Sequence, residues 1–266
     1  MKTHTQSNSL LPTALGLACI LSTSGILQAQ PIFVPNHSFE LQSGVGYPFG
    51  ANPSVDAWQK IAEPGYYTPV FGNSVPPWYA TAGVFVGTAP NSPNPYANLL
   101  GTQAGYILAF PQVTLFQDYD SSPTHDFNAT FEVGKSFNLT IGLFGKNLLA
   151  PGSTFQLSLY YRDNLNNKVT VGATTATYTA ANFPVTPILN LIDYSVNIPT
   201  VQAGDAWAGQ HIGIQLESTV PLELTSGRNW DFDNVRLTAV PEPSTITMLA
   251  LGLGGVLMKL RTRRQA

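Results

Sequence analysis

Ser136-Phe137-Asn138-Leu139-Thr140-Ile141-Gly142-Leu143 places an apolar side chain at every second position, with small or uncharged polar residues between. Successive side chains of a strand point to opposite faces, so the segment builds one apolar face and one wettable face. A helix would instead need apolar residues three and four apart. The pattern recurs down the chain. Phe155, Leu157, Leu159 and Tyr161 alternate with Thr154, Gln156, Ser158 and Tyr160. Ile192, Tyr194, Val196 and Ile198 alternate with Asp193, Ser195 and Asn197, and Ile212, Ile214 and Leu216 with His211, Gly213, Gln215 and Glu217. Turn-forming clusters, Ala150-Pro151-Gly152-Ser153 and Asp163-Asn164-Leu165-Asn166-Asn167, separate these runs. Half-buried strands in series predict an all-β chain, an antiparallel β-sandwich of the jelly-roll kind. The sequence contains no internal repeat and no helical run long enough to signal a second domain.

Composition agrees with that reading and narrows the function. The 266 residues are 44% hydrophobic and only 10% charged, with 23 Gly, 21 Pro and one Cys. A helical bundle needs Glu, Lys and Arg on its exposed faces, and these are scarce. Nucleic-acid binding is excluded on the same ground, because phosphate neutralisation takes clustered Lys and Arg and the formal net charge is −3. The charge is also unevenly placed. Between Gln30 and Val240 seven basic residues face fourteen acidic ones, while Lys259, Arg261, Arg263 and Arg264 crowd the C-terminus. An acidic centre between basic ends reads as a soluble domain flanked by two targeting segments.

The N-terminal segment has a basic start at Lys2, an apolar run from Leu10 to Leu27 and a small-residue site at Ala29. This is the layout of a signal peptide over residues 1–29, read by the membrane and removed by signal peptidase. Cys19 lies within the apolar run and would leave with it, so the mature domain, residues 30–239, contains no thiol nucleophile, disulfide or Cys-ligated metal. At the other end, residues 240–266, Pro241-Glu242-Pro243 precedes an uncharged stretch from Ser244 to Met258 and then the basic tail. Fifteen helical residues span roughly 22 Å, short of a ~30 Å hydrocarbon core, which describes a marginal transmembrane helix beside a processing motif. The basic tail keeps its own side cytoplasmic and sends the acidic domain across.

Motif, glycine-bearing apolar run and terminal arginines in that order resemble the PEP-CTERM sorting signal, found on exported proteins of Gram-negative bacteria that make exopolysaccharide. The resemblance implies processing near Pro241, Glu242 and Pro243 by an exosortase. It also implies a destination at the cell envelope, the cell surface or the biofilm matrix. A second resemblance involves Asn36-His37-Ser38-Phe39-Glu40 and Trp230-Asp231-Phe232-Asp233-Asn234-Val235-Arg236-Leu237. Together they are similar to the opening and closing strands of carbohydrate-binding-module and galactose-binding-like jelly rolls. Asn234 departs from that pattern, where an aspartate is usual. The resemblance implies a structural calcium, with Glu40 and Asp233 as the positions carried over. By parity Asp233 shares a face with Val235 and Leu237, so it should point inward, where a cation, an arginine or backbone amides must satisfy it.

Nine prolines interleave with aromatic residues between Val45 and Leu100. Proline excludes central strands, so this stretch reads as long ordered loops or edge structure. Trp78 and Tyr79, with Tyr66 and Tyr67, are the candidates for a stacking platform under sugar rings; the alternative is that these rings fold the loops back onto the sandwich. Trp58 reads as core. Asp118-Tyr119-Asp120-Ser121-Ser122-Pro123-Thr124-His125-Asp126 is the one dense acidic cluster, but Pro123 and Ala129 stand where a calcium loop needs Gly and Glu. No nucleophile elbow, zinc-binding helix or phosphate loop is present, and no catalytic residue is assigned. Three readings follow: a non-catalytic surface protein that binds exopolysaccharide, a structural or adhesive protein that associates with itself, and a secreted glycan hydrolase or lyase.

Overall fold

The alternating segments become the central strands of two antiparallel sheets. The computed structural model describes residues 28–41, 51–68, 76–87, 95–119, 127–146 and 149–242. Residues 1–27 and 243–266 lie outside these, and with them most of the expected signal peptide, the expected transmembrane helix, Pro243, Lys259, Arg261, Arg263 and Arg264. Twelve strands occur among the described residues: β1 (Gln30–Ile32), β2 (Ala51–Asn52), β3 (Gln59–Lys60), β4 (Ala82–Val86), β5 (Gln103–Leu108), β6 (Thr114–Gln117), β7 (Lys135–Gly145), β8 (Thr154–Arg162), β9 (Lys168–Thr177), β10 (Ile192–Ile198), β11 (Gly213–Ser218) and β12 (Asn229–Pro241). Among the described residues, no helix is long and apolar enough to cross a membrane.

One sheet runs β10-β7-β12-β5-β4-β2, with β1 pairing the far end of β12; the other runs β3-β6-β11-β8-β9. The predicted β-sandwich is therefore present, and Ala29–Glu242 form one compact unit. Most of the predicted inner positions are buried, the exceptions being Ile192 of β10, which is exposed, and Tyr161 and Tyr194, which are half-buried. Phe137, Leu139, Ile141 and Leu143 of β7 and Phe155, Leu157 and Leu159 of β8 are all buried. Each such side chain stabilises the fold by roughly 1.5–3 kcal/mol against exposure. Trp230 and Phe232 of β12 pack against Phe155 across the gap, with ring centroids 5.7 and 5.9 Å away. Trp58 is core as expected, stacked on Phe39 at 5.5 Å.

Two local features depart from the sequence reading. Asn36 to Glu40 is a tight turn rather than the first strand. Asn36 and Phe39 both adopt positive φ, and the turn drives Phe39 into the core against Trp58 and Phe232. The second departure is a β-bulge. Asp233 pairs with Gly142 and Arg236 with Thr140, so β12 holds one residue more than β7 over this span, and Asn234 takes φ +56°. Parity therefore breaks at Asn234. Val235 and Leu237 face the inter-sheet core, whereas Asp233 stays with Asp231 on the outer face of the sheet. Asp233 is nonetheless fully buried.

Candidate functional site

Two loop segments bury that outer face. Tyr96 bridges Leu189, and Ala97 and Leu189 exchange backbone bonds with Leu189 and Pro95. Asn98 clamps Leu191 at both ends: its Nδ2 donates to the Leu191 carbonyl at 2.9 Å, and its Oδ1 accepts from the Leu191 N–H at 2.8 Å. Under this cover Asp231 is closed on every side. Its Oδ2 accepts from the Tyr96 hydroxyl at 2.5 Å and faces Lys146 Nζ at 3.1 Å, and Asn229 donates to Oδ1. Burial raises the Asp231 carboxyl, and Lys146 with the hydrogen bonds pulls it back. The Tyr96 hydroxyl is raised by its own burial and then by the adjacent Asp231 charge. A carboxylate so enclosed has a stabilising role and no access to substrate.

Asp233 is held differently. The Leu100 N–H donates to Oδ2 at 2.6 Å, whereas buried Oδ1 makes no hydrogen bond of normal geometry. Its carboxyl is pushed up to about 7, first by burial, against the pull of the Leu100 and Asn234 amides, with the Glu40 charge adding to the rise. Glu40 accepts from the N–H groups of Thr102 at 2.8 Å and Gln103 at 2.6 Å, and from the Thr102 hydroxyl at 3.1 Å. One turn around Gly101 thus feeds amides to both carboxylates. Gly101 has φ +106°, and a Cβ there would stand 2.5 Å from Glu40 Oε1. The structure therefore brings Glu40 and Asp233 together on the outer face, away from the inter-sheet gap. Two neighbouring carboxylates with one orphaned buried oxygen suit a hard cation. Among the described residues no group of three or more His, Cys, Asp or Glu could hold a metal, so the remaining ligands would be backbone or water oxygens.

Among the described residues of the proline-rich stretch, Trp78, Tyr66 and Tyr67 do not form an exposed platform. Trp78 and Tyr67 are buried, in edge contact at 4.9 Å, and Trp78 Nε1 donates to the Ile61 carbonyl at 2.9 Å. Tyr67 donates to the Pro76 carbonyl at 2.6 Å, and half-buried Tyr66 donates to the Pro111 carbonyl. Of the four, Tyr79 alone is exposed, at 63%. The rings fold the loops onto the sandwich because each polar tip finds a carbonyl that would otherwise be stranded.

A cleft of about 250 Å³ opens at one end of the β3-β6-β11-β8-β9 sheet. Asp118 and Tyr119 follow β6, Tyr160 and Arg162 end β8, the Asp163–Asn167 turn forms one wall, and Gln210 and His211 form the other. Asp118 is buried and accepts from the Tyr160 hydroxyl and from Arg162 Nε and Nη2, both at 3.0 Å. Arg162 Nη1 also donates to the Asn166 carbonyl at 3.0 Å. Burial, then the Asp118 charge, raises the Tyr160 hydroxyl far above its ordinary value, so it remains a donor. Tyr160 can lie flat across β11 only because Gly213 faces it: a Cβ there would come within 2.3 Å of the ring. At the rim Tyr119 stacks on His211, centroids 4.3 Å apart and planes 6° from parallel.

The wall turn is rigid in its own right. Asp163 Oδ1 accepts from the N–H groups of Leu165 and Asn167, and hydrogen bonds from the Asn167 side chain and backbone hold its carboxyl below the ordinary range. The lining is thus largely uncharged donors and acceptors beside an aromatic pair. The sequence signalled Asp118 and the outward-facing His211 but not their meeting, because three segments far apart in the chain build the site. Asp120, Ser122, His125 and Asp126 lie outside the described residues.

Several solved structures are similar to this one, and the two cyclases among them share its fold. A crystal structure of a cyclase from Fischerella sp. TAU matches with TM-score 0.54 at 21% identity, covering 82% of this chain and all of that one. The Stig cyclase Fisc from the same organism, in complex with (3Z)-3-(1-methyl-2-pyrrolidinylidene)-3H-indole, matches with TM-score 0.51 at 23% identity, covering 81% and 100%. The CBM22-1 xylan-binding domain of Paenibacillus barcinonensis Xyn10C matches with TM-score 0.38 at 10% identity, covering 70% and 88%. By sequence, no curated protein matches the chain. Residues 239–264 match the PEP-CTERM protein-sorting motif. The chain thus carries a sorting signal that implies exosortase processing and export to the cell envelope or surface, attached to a β-sandwich.

Proposed function

We propose that the protein is an exported, non-catalytic surface or matrix protein that binds exopolysaccharide through the Tyr119–His211 cleft. The cleft carries the reading. Its amide side chains on Asn164, Asn166 and Gln210 and the remaining Arg162 N–H groups match sugar hydroxyls, and the stacked ring pair offers an apolar face to a pyranose. Its volume falls below the roughly 300–1,000 Å³ of small-molecule pockets, so it suits one end or one unit of a longer polymer. The test is affinity electrophoresis of the mature chain in gels containing native exopolysaccharide. Tyr119→Ala and His211→Ala should abolish retardation while Tyr79→Ala keeps it. Retardation unchanged in Tyr119→Ala would overturn the reading.

A second reading, self-association without glycan specificity, is favoured by the sheet edge at β9. Its ten residues include no proline and a single charge, Lys168, a composition that leaves an edge open to pairing. Concentration-dependent association in analytical ultracentrifugation, with no retardation by glycan, would support it. Calcium is proposed as a structural ion of the Glu40–Asp233 pair. It would neutralise the two charges and occupy the orphaned Oδ1.

A further inference from the structure

The sorting motif does not begin beyond the folded domain but inside it. β12 continues through Ala239, Val240 and Pro241, paired with Phe137, Ser136 and Lys135 of β7. The next residue stays attached: the Glu242 N–H donates to the Gly134 carbonyl at 3.0 Å, and the Thr200 hydroxyl donates to Glu242 Oε1. Ser136 Oγ reaches the Val240 carbonyl at 3.4 Å. Two of the three residues of Pro241-Glu242-Pro243 are therefore engaged with their own domain. A processing enzyme takes its substrate as an extended strand whose backbone groups are open to it. A strand end whose N–H and C=O groups already serve β7 and its flanking turn cannot present them twice.

We propose that the domain masks its own sorting motif, and that Val240 to Glu242 must peel from β7 before the exosortase can engage it. This rests on the exosortase reading of the motif. The structure also sets where peeling stops. Val240 and Pro241 are half-buried and Glu242 is exposed, whereas Ala239 is buried at 3% and anchored between Phe137 and Gln30. Pro241 donates no backbone bond, which weakens the ladder where it must open. The device makes processing rate a readout of local opening at one strand end.

A disulfide across the outward-facing pair Ser136 and Val240 tests this directly. Cross-strand partners lie about 4.5–5.5 Å apart at Cα, within disulfide range. Cys19, the chain's single cysteine, precedes the domain and offers no competing partner within it. Full-length Ser136→Cys/Val240→Cys protein is incubated with exosortase-bearing membranes, and loss of the C-terminal segment is followed by mobility. Oxidised protein should be processed at least tenfold more slowly than wild type, and reductant should restore the rate. A second variant, with Gly-Ser-Gly-Ser inserted between Val240 and Pro241, frees the motif and should be processed faster than wild type whether or not position 240 is locked. Equal processing of the oxidised and reduced double variant, or an insertion variant no faster than wild type, overturns the proposal. Wild-type protein and the insertion variant both left intact would instead overturn the exosortase reading on which it rests.

Discussion

Lys146→Met isolates the energetics of the buried Asp231 network. Lys146 Nζ lies 3.1 Å from Asp231 Oδ2; the Asp231 side chain is fully buried and that of Lys146 is 36% exposed. Removing one partner of a buried pair costs about 3–5 kcal/mol because the other charge is stranded. Solvent already screens the exposed lysine, which brings the expected loss down to about 2–3 kcal/mol. Asp231→Asn behaves differently. The carboxamide oxygen still accepts from Tyr96, the freed ammonium reaches water, and the loss is about 1 kcal/mol. The double variant then has no stranded charge, so it should be more stable than Lys146→Met alone, with a coupling of about 2 kcal/mol. Urea unfolding followed by tryptophan fluorescence measures all four corners of the cycle. The deficit of Lys146→Met should also shrink as pH falls. Without the cation the already raised Asp231 carboxyl rises further, and the folded state takes up a proton there. Losses that simply add, with coupling below about 0.5 kcal/mol, would refute the ion-pair account.

Three further outcomes are expected. In chelator, wild-type stability should fall between about pH 4 and pH 7, on the order of 1.4 kcal/mol per pH unit, because folding raises the Asp233 carboxyl from 3.8 to about 7 and keeps a proton the unfolded chain has lost. Asp233→Asn should remove that slope, and calcium at pH 8 should raise the Tm of wild type but not of the variant; identical melts in calcium and chelator would remove the ion. Burial pulls the Lys60 ammonium from 10.5 to about 7, so the unfolded chain holds a proton that the folded chain lacks in that window. Stability should rise with pH from about 7 to about 10, and Lys60→Met should flatten the rise, as read by thermal melts across pH. Gly101→Ala should cost about 1–3 kcal/mol in urea unfolding, since its φ of +106° and the Glu40 carboxylate both exclude a Cβ; an unchanged midpoint would mean the turn relaxes freely.

The sandwich was legible wherever a strand had one apolar and one polar face. β7, β8, β10 and β11 could be read because their alternate positions carry Phe, Leu, Ile, Val and Tyr, and β12 through its resemblance to a closing jelly-roll strand. β9 escaped notice because Lys168–Thr177 is mostly Thr, Ala, Val and Gly, with no strongly apolar side to mark. Parity in the sequence buries Asp233 but on the wrong face. Parity counts residues, and the bulge at Asn234 adds one that the count does not see. Trp78 and Tyr67 could not be placed from sequence, since the same ring serves equally as exposed platform or loop anchor. The carbonyls of Ile61 and Pro76 decide it. The cleft was illegible for a simpler reason: Tyr119, Arg162 and His211 meet only after β6, β8 and β11 have paired.

Gln30 pairs with Ala239, so the chain enters and leaves the domain at a single corner. Under mechanical load this placement matters more than overall stability. Pulling the two ends apart loads the β1–β12 ladder at its tip, where three residue pairs open one after another and never share the force. The same corner, with the end of β12 beside it, gives way before tension reaches the strands farther in. A surface protein dragged by flow through its attachments would yield there first and close again when the load is released. Its core, and the cleft at the end of the opposite sheet, would be spared.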